Sequence, residues 1–440
     1  MNLKRLAPLS LALGAAFAVP ARAESLQELY DLARAQDATW QSARSNYDAS
    51  LARAEQAKAG ILPTANLTAA STRSNFTLDN PSTDRRYTTN TATVSANQPL
   101  YRPGNWATYK QAEPQARIAE AQLTAASQDL IVRVSQAYFD VLAAQDTLTF
   151  VQAQKAAVAE QLASAKRNFE VGTATITDTR EAQARYDLVL AQEIASENDL
   201  RVKKLALDTI VGKPGTQPNP VAVPPQVPAP QPADPEQWVM QAEDASPAIQ
   251  IGKANLRIAE LEVDKAKAGH KPTLDLVASR NITRNIGGSA TSPLGNQPET
   301  TAVGVNFTLP LFAGFATQNR IRETLALDEK AKSDLEAARR SAAQGVRTAY
   351  FGLVSGQNQV RALESAEASS QSALEANRLG YQVGVRINID VLNAQSQLFQ
   401  TKRDLAQARY NVLLGQLKLR QAAGTLQPED LARLNALVSK

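Results

Sequence analysis

Phe169–Asp187 reads FEVGTATITDTREAQARYD, and 212 residues later Tyr381–Phe399 reads YQVGVRINIDVLNAQSQLF. Val171 and Val383, Gly172 and Gly384, Asp178 and Asp390, Ala182 and Ala394, and Gln183 and Gln395 fall in register. The second copy gathers a phenol, a guanidinium, a carboxylate and an amide in Tyr381, Arg386, Asp390 and Asn393; the first offers Thr177 and Asp178. Groups of this kind form charge-assisted hydrogen bonds and, where a carboxylate faces water, attract cations. Glycine tolerates positive φ, so Gly172 and Gly384 read as helix stops. Asp178 and Asp390 sit where the next helix should start, where a carboxylate caps backbone N–H groups and meets the positive end of the helix dipole. Asp178 with Glu181 spells a capping box.

Other chemistry is scarce. The chain has no cysteine and a single histidine, His270, so histidine triads, zinc sites and disulfides are excluded. No GxSxG, P-loop or HExxH pattern occurs, and no cofactor motif. Most Asp and Glu lie beside Lys and Arg on helix faces and read as solvated surface. The predicted protein is not an enzyme.

The elements that carry the two motifs begin after an export signal. Lys4 and Arg5, the apolar run LSLALGAAFAV and the Ala21-Arg22-Ala23 step predict a signal peptide over 1–23, cleaved before Glu24. Without a cysteine after the cleavage point the mature chain is not lipidated. Removing the segment takes away three basic residues and no acid from totals of 47 and 43, leaving the charge near balance. With no basic tract and no interleaved aromatics, nucleic acid is not a predicted partner.

The rest is written twice. KAGILPTANL (Lys58–Leu67) answers KAGHKPTLDL (Lys267–Leu276), QPLYRPG (Gln98–Gly104) answers LPLFAG (Leu309–Gly314), and QAYFDVL (Gln136–Leu142) answers TAYFGLV (Thr348–Val354). The predicted organisation is a first repeat over 24–212, a linker over 213–235, a second repeat over 236–426 and a tail over 427–440. The linker holds nine of the 22 prolines and reads as an extended, semi-rigid connector. Each repeat opens with a helix, over Glu24–Ala59 and Glu236–Ala268, that stops at an Ala-Gly-x-x-Pro step. Two strands with period-two alternation follow: Thr64–Leu78 with Tyr87–Leu100, and Thr273–Asn285 with Thr300–Phe312. Long helices over Asn105–Phe169 and Phe315–Tyr381 come next, then returning helices over Asp178–Val211 and Asp390–Ala423. Leu130, Val134, Ala137, Val141, Ala144, Leu148 and Val151 form a heptad seam, repeated from Ala342 to Leu363. About 65 residues at 1.5 Å each make a rod of roughly 100 Å.

Strands of 12–15 residues are long enough to cross a bilayer when tilted. Four strands cannot close a barrel, and an open edge is forbidden in lipid, so several chains must share one barrel. Three chains would give twelve strands and an open lumen; two would give eight. Tyr101, Trp106, Phe312 and Phe315 sit where strands meet helices and suit a membrane-interface belt.

Taken together, ESLQELYDLARAQDATWQSAR at Glu24–Arg44, AKAGILPTANL, PLF-AG, YQVGVRINIDVLNAQSQLF and ARYNVLLGQLKLRQAAGTL at Ala408–Leu426 resemble the TolC-like outer-membrane channel proteins of Gram-negative bacteria. The resemblance covers nearly the whole mature chain. It implies an α+β homotrimer in the outer membrane, in which a twelve-stranded β-barrel continues into a twelve-helix coiled-coil tunnel across the periplasm. An equatorial belt would lie around the tunnel, including the linker and the C-terminal tail. It also implies export of small molecules or of type I secreted proteins, with a periplasmic adaptor and an inner-membrane pump of the RND or ABC type as partners. In the family the second-half turn carries a Tyr and an Arg that help to hold the periplasmic entrance closed, with two acids one turn apart. These positions match Tyr381, Arg386 and Asp390, with Thr177 and Asp178 as partners across the interface. Asn393 departs from the pattern, so one acidic ring is expected in place of two, with weaker cation selectivity. The competing expectation is a trimeric, adhesin-like coiled-coil surface protein without transport activity; it has no need of two halves that each alternate helix, strands and helix.

Overall fold

A computed structural model describes residues 24–220 and 229–438. The expected signal peptide lies outside the described residues, as do 221–228 of the linker and the last two residues. The elements run α1 (Leu26–Gln36), α2 (Ala38–Gln56), β1 (Thr64–Asp79), β2 (Ser82–Tyr101), α3 (Pro103–Glu170) and α4 (Ile176–Val211). After the linker come α5 (Pro235–Ala245), α6 (Pro247–Ala268), β3 (Thr273–Ile286), β4 (Glu299–Thr308), α7 (Ala316–Gln382), α8 (Asn388–Ala422) and α9 (Pro428–Val438). Two compact units draw on both halves of the sequence. One takes the chain up to Gln41 with Ala126–Val239 and everything from Gly345; the other takes Ser42–Ala125 and Met240–Gln344.

The second of these units holds the sheet, in which β1, β2, β3 and β4 are neighbours in that order and every pair is antiparallel. The β2–β3 pairing joins the two halves of the sequence, and among the described residues β1 and β4 are left as free edges. Residues directly opposite one another share a face, and faces alternate along each strand. One face therefore carries Leu67, Val94, Leu276, Ala278, Val303, Val305 and Phe307. The other carries Asn66, Thr68, Thr91, Thr93, Asn281, Thr283 and Asn306. The apolar side chains stand in the open, with Leu67 and Val303 both 72% exposed. At the helix end of the sheet, Arg102 donates to buried Asp275 through Nε (2.7 Å to Oδ1) and Nη2 (2.6 Å to Oδ2).

Two strand limits differ from expectation by more than one residue. β2 starts at Ser82, five residues early, because Asp79 and Ser82 pair directly across Asn80-Pro81 and leave no long loop. β4 ends at Thr308, four residues short of Phe312, since Pro310 has no N–H to continue a ladder. The opening helices also differ, each being two in place of one. Asp37 starts α2 by accepting from Trp40 N at 2.7 Å, and Ser246-Pro247 starts α6 with a proline at the first helical position.

The first unit is held by the heptad seam of α3. Leu130, Val134 and Val141 are fully buried, and Ala137, Ala144 and Val151 nearly so. Its copy in α7 is looser: Val346 and Leu353 are buried, while Ala349, Val360 and Leu363 are half-buried. Phe139 stacks on Tyr410 of α8 at 5.8 Å, and the Tyr410 hydroxyl donates to Asp146 Oδ2 at 2.7 Å. Burial raises the pKa of Asp146 and, with the Asp146 contact, that of Tyr410. Asp37 receives both terminal nitrogens of Arg133 from α3, at 3.0 and 3.1 Å. Burial alone would raise the Asp37 pKa, but the Arg133 and Trp40 bonds outweigh it and hold the carboxyl below its usual range. The described ends of the linker are fixed: Glu24 N donates to the Gln217 carbonyl and Asn219 N to the Glu24 carbonyl, Tyr138 donates to the Asn219 carbonyl, and Trp238 Nε1 donates to the Pro232 carbonyl.

Candidate functional site at the hairpin turns

The turns after α3 and α7 have one backbone. Gly172 and Gly384 both lie at φ +79°, a region that penalises a Cβ. In the first turn Gly172 N donates to Phe169 O at 3.0 Å and Thr173 N to Asn168 O at 2.8 Å. In the second, Gly384 N donates to Tyr381 O at 3.2 Å and Val385 N to Gly380 O at 2.9 Å. The offset of 212 residues therefore extends to individual hydrogen bonds.

The side chains then diverge. Thr175, not Asp178, is the N-cap of α4; its Oγ1 accepts from Asp178 N, and Asp178 Oδ2 accepts from Thr175 N at 2.9 Å. The capping box thus pairs Thr175 with Asp178, and Glu181 lies one turn too far along. The equivalent N-cap of α8 is Ile387, whose side chain cannot accept, so Asp390 is likewise the third helical residue and no cap. Asp178 is consumed by its own helix end. Asp390 is freer and stands 3.6 Å from Arg386 Nη1, with Arg386 59% exposed.

Two hairpins, α3–α4 and α7–α8, meet here. Leu392 of α8 joins a buried cluster with Val151, Val158, Leu162, Ala165, Ala182 and Val189 of the first hairpin. Tyr381 packs on Leu374, Val391 and Leu398, and its hydroxyl oxygen accepts from Asn168 Nδ2 at 3.3 Å. Asn393 is exposed and accepts from Arg185 Nη2 at 2.9 Å. Thr177 is exposed, and within the chain the Asp178 carbonyl accepts from Asn388.

Sequence reasoning overlooked several of these partners. Asn388 is fully buried and satisfied on both sides, its Oδ1 accepting from Gln161 Nε2 at 2.5 Å and its Nδ2 donating to Asp178 O at 3.2 Å. An unsatisfied buried amide is costly, so this pair of bonds ties α8 to both helices of the first hairpin. Gly380 was a signal left unread: a Cβ there would fall 2.7 Å from Arg386 Cγ, so the glycine makes room for the arginine stem. Asn168 and Ala174 occupy the matching positions of the first turn, where no such arginine lies.

Where the strands lead into the long helices the four aromatics are all exposed: Tyr101 44%, Trp106 47%, Phe312 74% and Phe315 62%. Trp106 meets Tyr109 edge-on at 5.9 Å and Phe312 meets Phe315 at 5.5 Å. Among the described residues no group of three or more His, Asp or Glu could hold a metal ion, and no helix is long and apolar enough to cross a membrane.

A family model described as "Outer membrane efflux protein" matches residues 29–213 and 238–425. "Outer membrane protein TolC" of Vibrio cholerae is 34% identical over 99% of this chain and 98% of its own length. "Proteases secretion protein PrtF" of Dickeya chrysanthemi is 30% identical over 94% of this chain and 91% of its own. In fold, the crystal structure of the outer membrane protein VceC from Vibrio cholerae superposes with a TM-score of 0.76 at 20% identity, covering 91% of this chain and 96% of that one.

Proposed function

We propose that this chain, which belongs to the outer membrane efflux protein family, closes its barrel as a homotrimer and is gated at the hairpin turns. The family is one of outer-membrane channels for efflux and type I secretion rather than of enzymes, and this chain is such a channel. The observation that carries the trimer is the sheet. Four strands with one apolar face, one polar face and two unpaired edges cannot stand alone in lipid, where every backbone group must be satisfied. Three copies give twelve strands, a ring wide enough for a polar lumen, and Thr and Asn of the second face would line it. An adaptor and an inner-membrane pump then supply cargo and energy from the periplasmic side.

Symmetry would turn each mouth residue into a ring of three. Asp390, the carboxylate not consumed by a cap, would form the acidic ring, with Asn393 a neutral one beside it. Tyr381 and Arg386 would hold the second hairpin inward, through Asn168 within the chain and through Thr177 and Asp178 of a neighbour. The stoichiometry is tested by native mass spectrometry of the detergent-purified protein. Three chains are expected; a stable monomer or dimer overturns the proposal.

A further inference from the structure

Four arginines stand on the apolar face of the sheet. The register places Arg280 opposite Val94 and Leu67, Arg284 opposite Asn90 and Ser71, Arg73 opposite Thr88, and Arg86 opposite Asn75. All four belong to the face of Leu276, Val303, Val305 and Phe307, and all four are exposed. They are not scattered along it. Leu276, Ala278, Val303, Val305 and Phe307 occupy the helix end of β3 and β4, and Ala65, Leu67, Ala92, Val94 and Ala96 the corresponding part of β1 and β2. Arg280 shares the row of Val94 and Leu67 inside that band, and Ile282 closes it opposite Ala92; Arg284, Arg73 and Arg86 lie beyond it toward the hairpin tips, where Ile286 and Asp84 share their face.

Their pairing is one-sided. Arg280 is bound to Glu299 at 2.9 Å, whereas Arg73, Arg86 and Arg284 have no acidic partner among the described residues. Arg85, one residue from Arg86 and on the polar face, is half-buried and donates to the Ala290 carbonyl. At the helix end of the sheet, Arg102 is already neutralised by Asp275, which lies on the polar face opposite Asn306. Unpaired guanidinium groups are therefore confined to one rim, next to side chains that would face acyl chains. A guanidinium there keeps its head in the interface, and its planar fork matches a phosphate through two parallel bonds.

We propose that Arg73, Arg86 and Arg284 form a docking rim for phosphate-bearing lipid headgroups of the outer leaflet. The inference rests on the barrel reading above, which makes the apolar face the lipid-facing one. Lipid is favoured over a soluble anion because the rim is continuous with the apolar band, so one molecule can place acyl chains on Leu67 and Val94 and a phosphate on the arginines.

The test incubates the detergent-purified full-length protein with bis-phosphorylated lipid A or with the same lipid stripped of phosphate, and counts retained lipid by native mass spectrometry. The phosphorylated lipid should be retained in preference. R73Q/R86Q/R284Q should weaken retention on the order of a hundred-fold, about five-fold per arginine, and Lys at the three positions should restore most of it. Arg85→Gln should change nothing. Should the triple variant fail to fold, Arg284→Gln alone is expected to show its five-fold share. Equal retention of the two lipids, or retention unaltered by Arg→Gln, overturns the proposal, as does full competition by inorganic phosphate at the lipid's concentration. Protein that conducts in a bilayer of uncharged lipid yet retains both lipids alike sinks this inference alone; protein that does not conduct sinks the barrel reading beneath it.

Discussion

Asp178 and Asp390 occupy the same place in two turns of one backbone, yet the residue three positions earlier gives them different work. Thr175 draws the Asp178 carboxylate into a capping box, while Ile387 offers Asp390 nothing, and Arg386 approaches instead. The sequence repeat shows both acids but not this difference, because a cap depends on which residue first turns helical. We therefore expect Asp390→Ala to lower the cation preference of the open channel, read as a shift in reversal potential under a salt gradient, and Asp178→Ala to leave it nearly unchanged. Replacing Tyr381 by Phe and Arg386 by Ser should raise single-channel conductance, since a bond from Asn168 and the ion pair with Asp390 are both lost. A conductance equal to that of the parent would remove both residues from the proposed gate. A third expectation concerns acid. The Asp37 pKa is depressed, so its contacts with Arg133 and Trp40 stabilise the fold above about pH 4, and that contribution is lost as pH falls through the lowered native value. Asp37→Asn should cost about 1.5–3 kcal/mol near neutral pH and progressively less in acid, measured by denaturant unfolding at several pH values.

Among the elements, the turns are the most constrained. Gly384→Ala places a Cβ at φ +79° and should cost about 1–2 kcal/mol, visible as a lower melting temperature; the same change at Gly380 adds a steric demand on the Arg386 stem. The helices and strands were legible from the sequence, since heptad spacing and period-two alternation follow from burying one face. Their interruptions were less so. The break at Asp37 is invisible in a stretch of good helix formers, because a single side chain supplies the cap. β4 stops at Thr308 although the alternation of Leu309 and Leu311 continues, because a proline lacks the donor that the ladder needs. Asn388 could not be singled out either: its importance lies in two partners, Gln161 and Asp178, that are 227 and 210 residues away. Pairing at that range is set by how two hairpins pack, which one-dimensional spacing does not encode.

For the whole molecule the decisive feature is that the sheet is unfinished. Among the described residues β1 and β4 each expose an unpaired edge, and at the helix end of the sheet an apolar band on one face backs a face rich in Thr and Asn. A coiled-coil stalk would have no use for such a sheet; a barrel shared among chains requires it. The purified full-length protein should therefore insert into a planar lipid bilayer and produce discrete, uniform conductance steps. Steps that enlarge when Tyr381 and Arg386 are replaced would place the barrier at the hairpin turns. Protein that is folded but gives no conductance, with or without those replacements, would contradict the account at its centre.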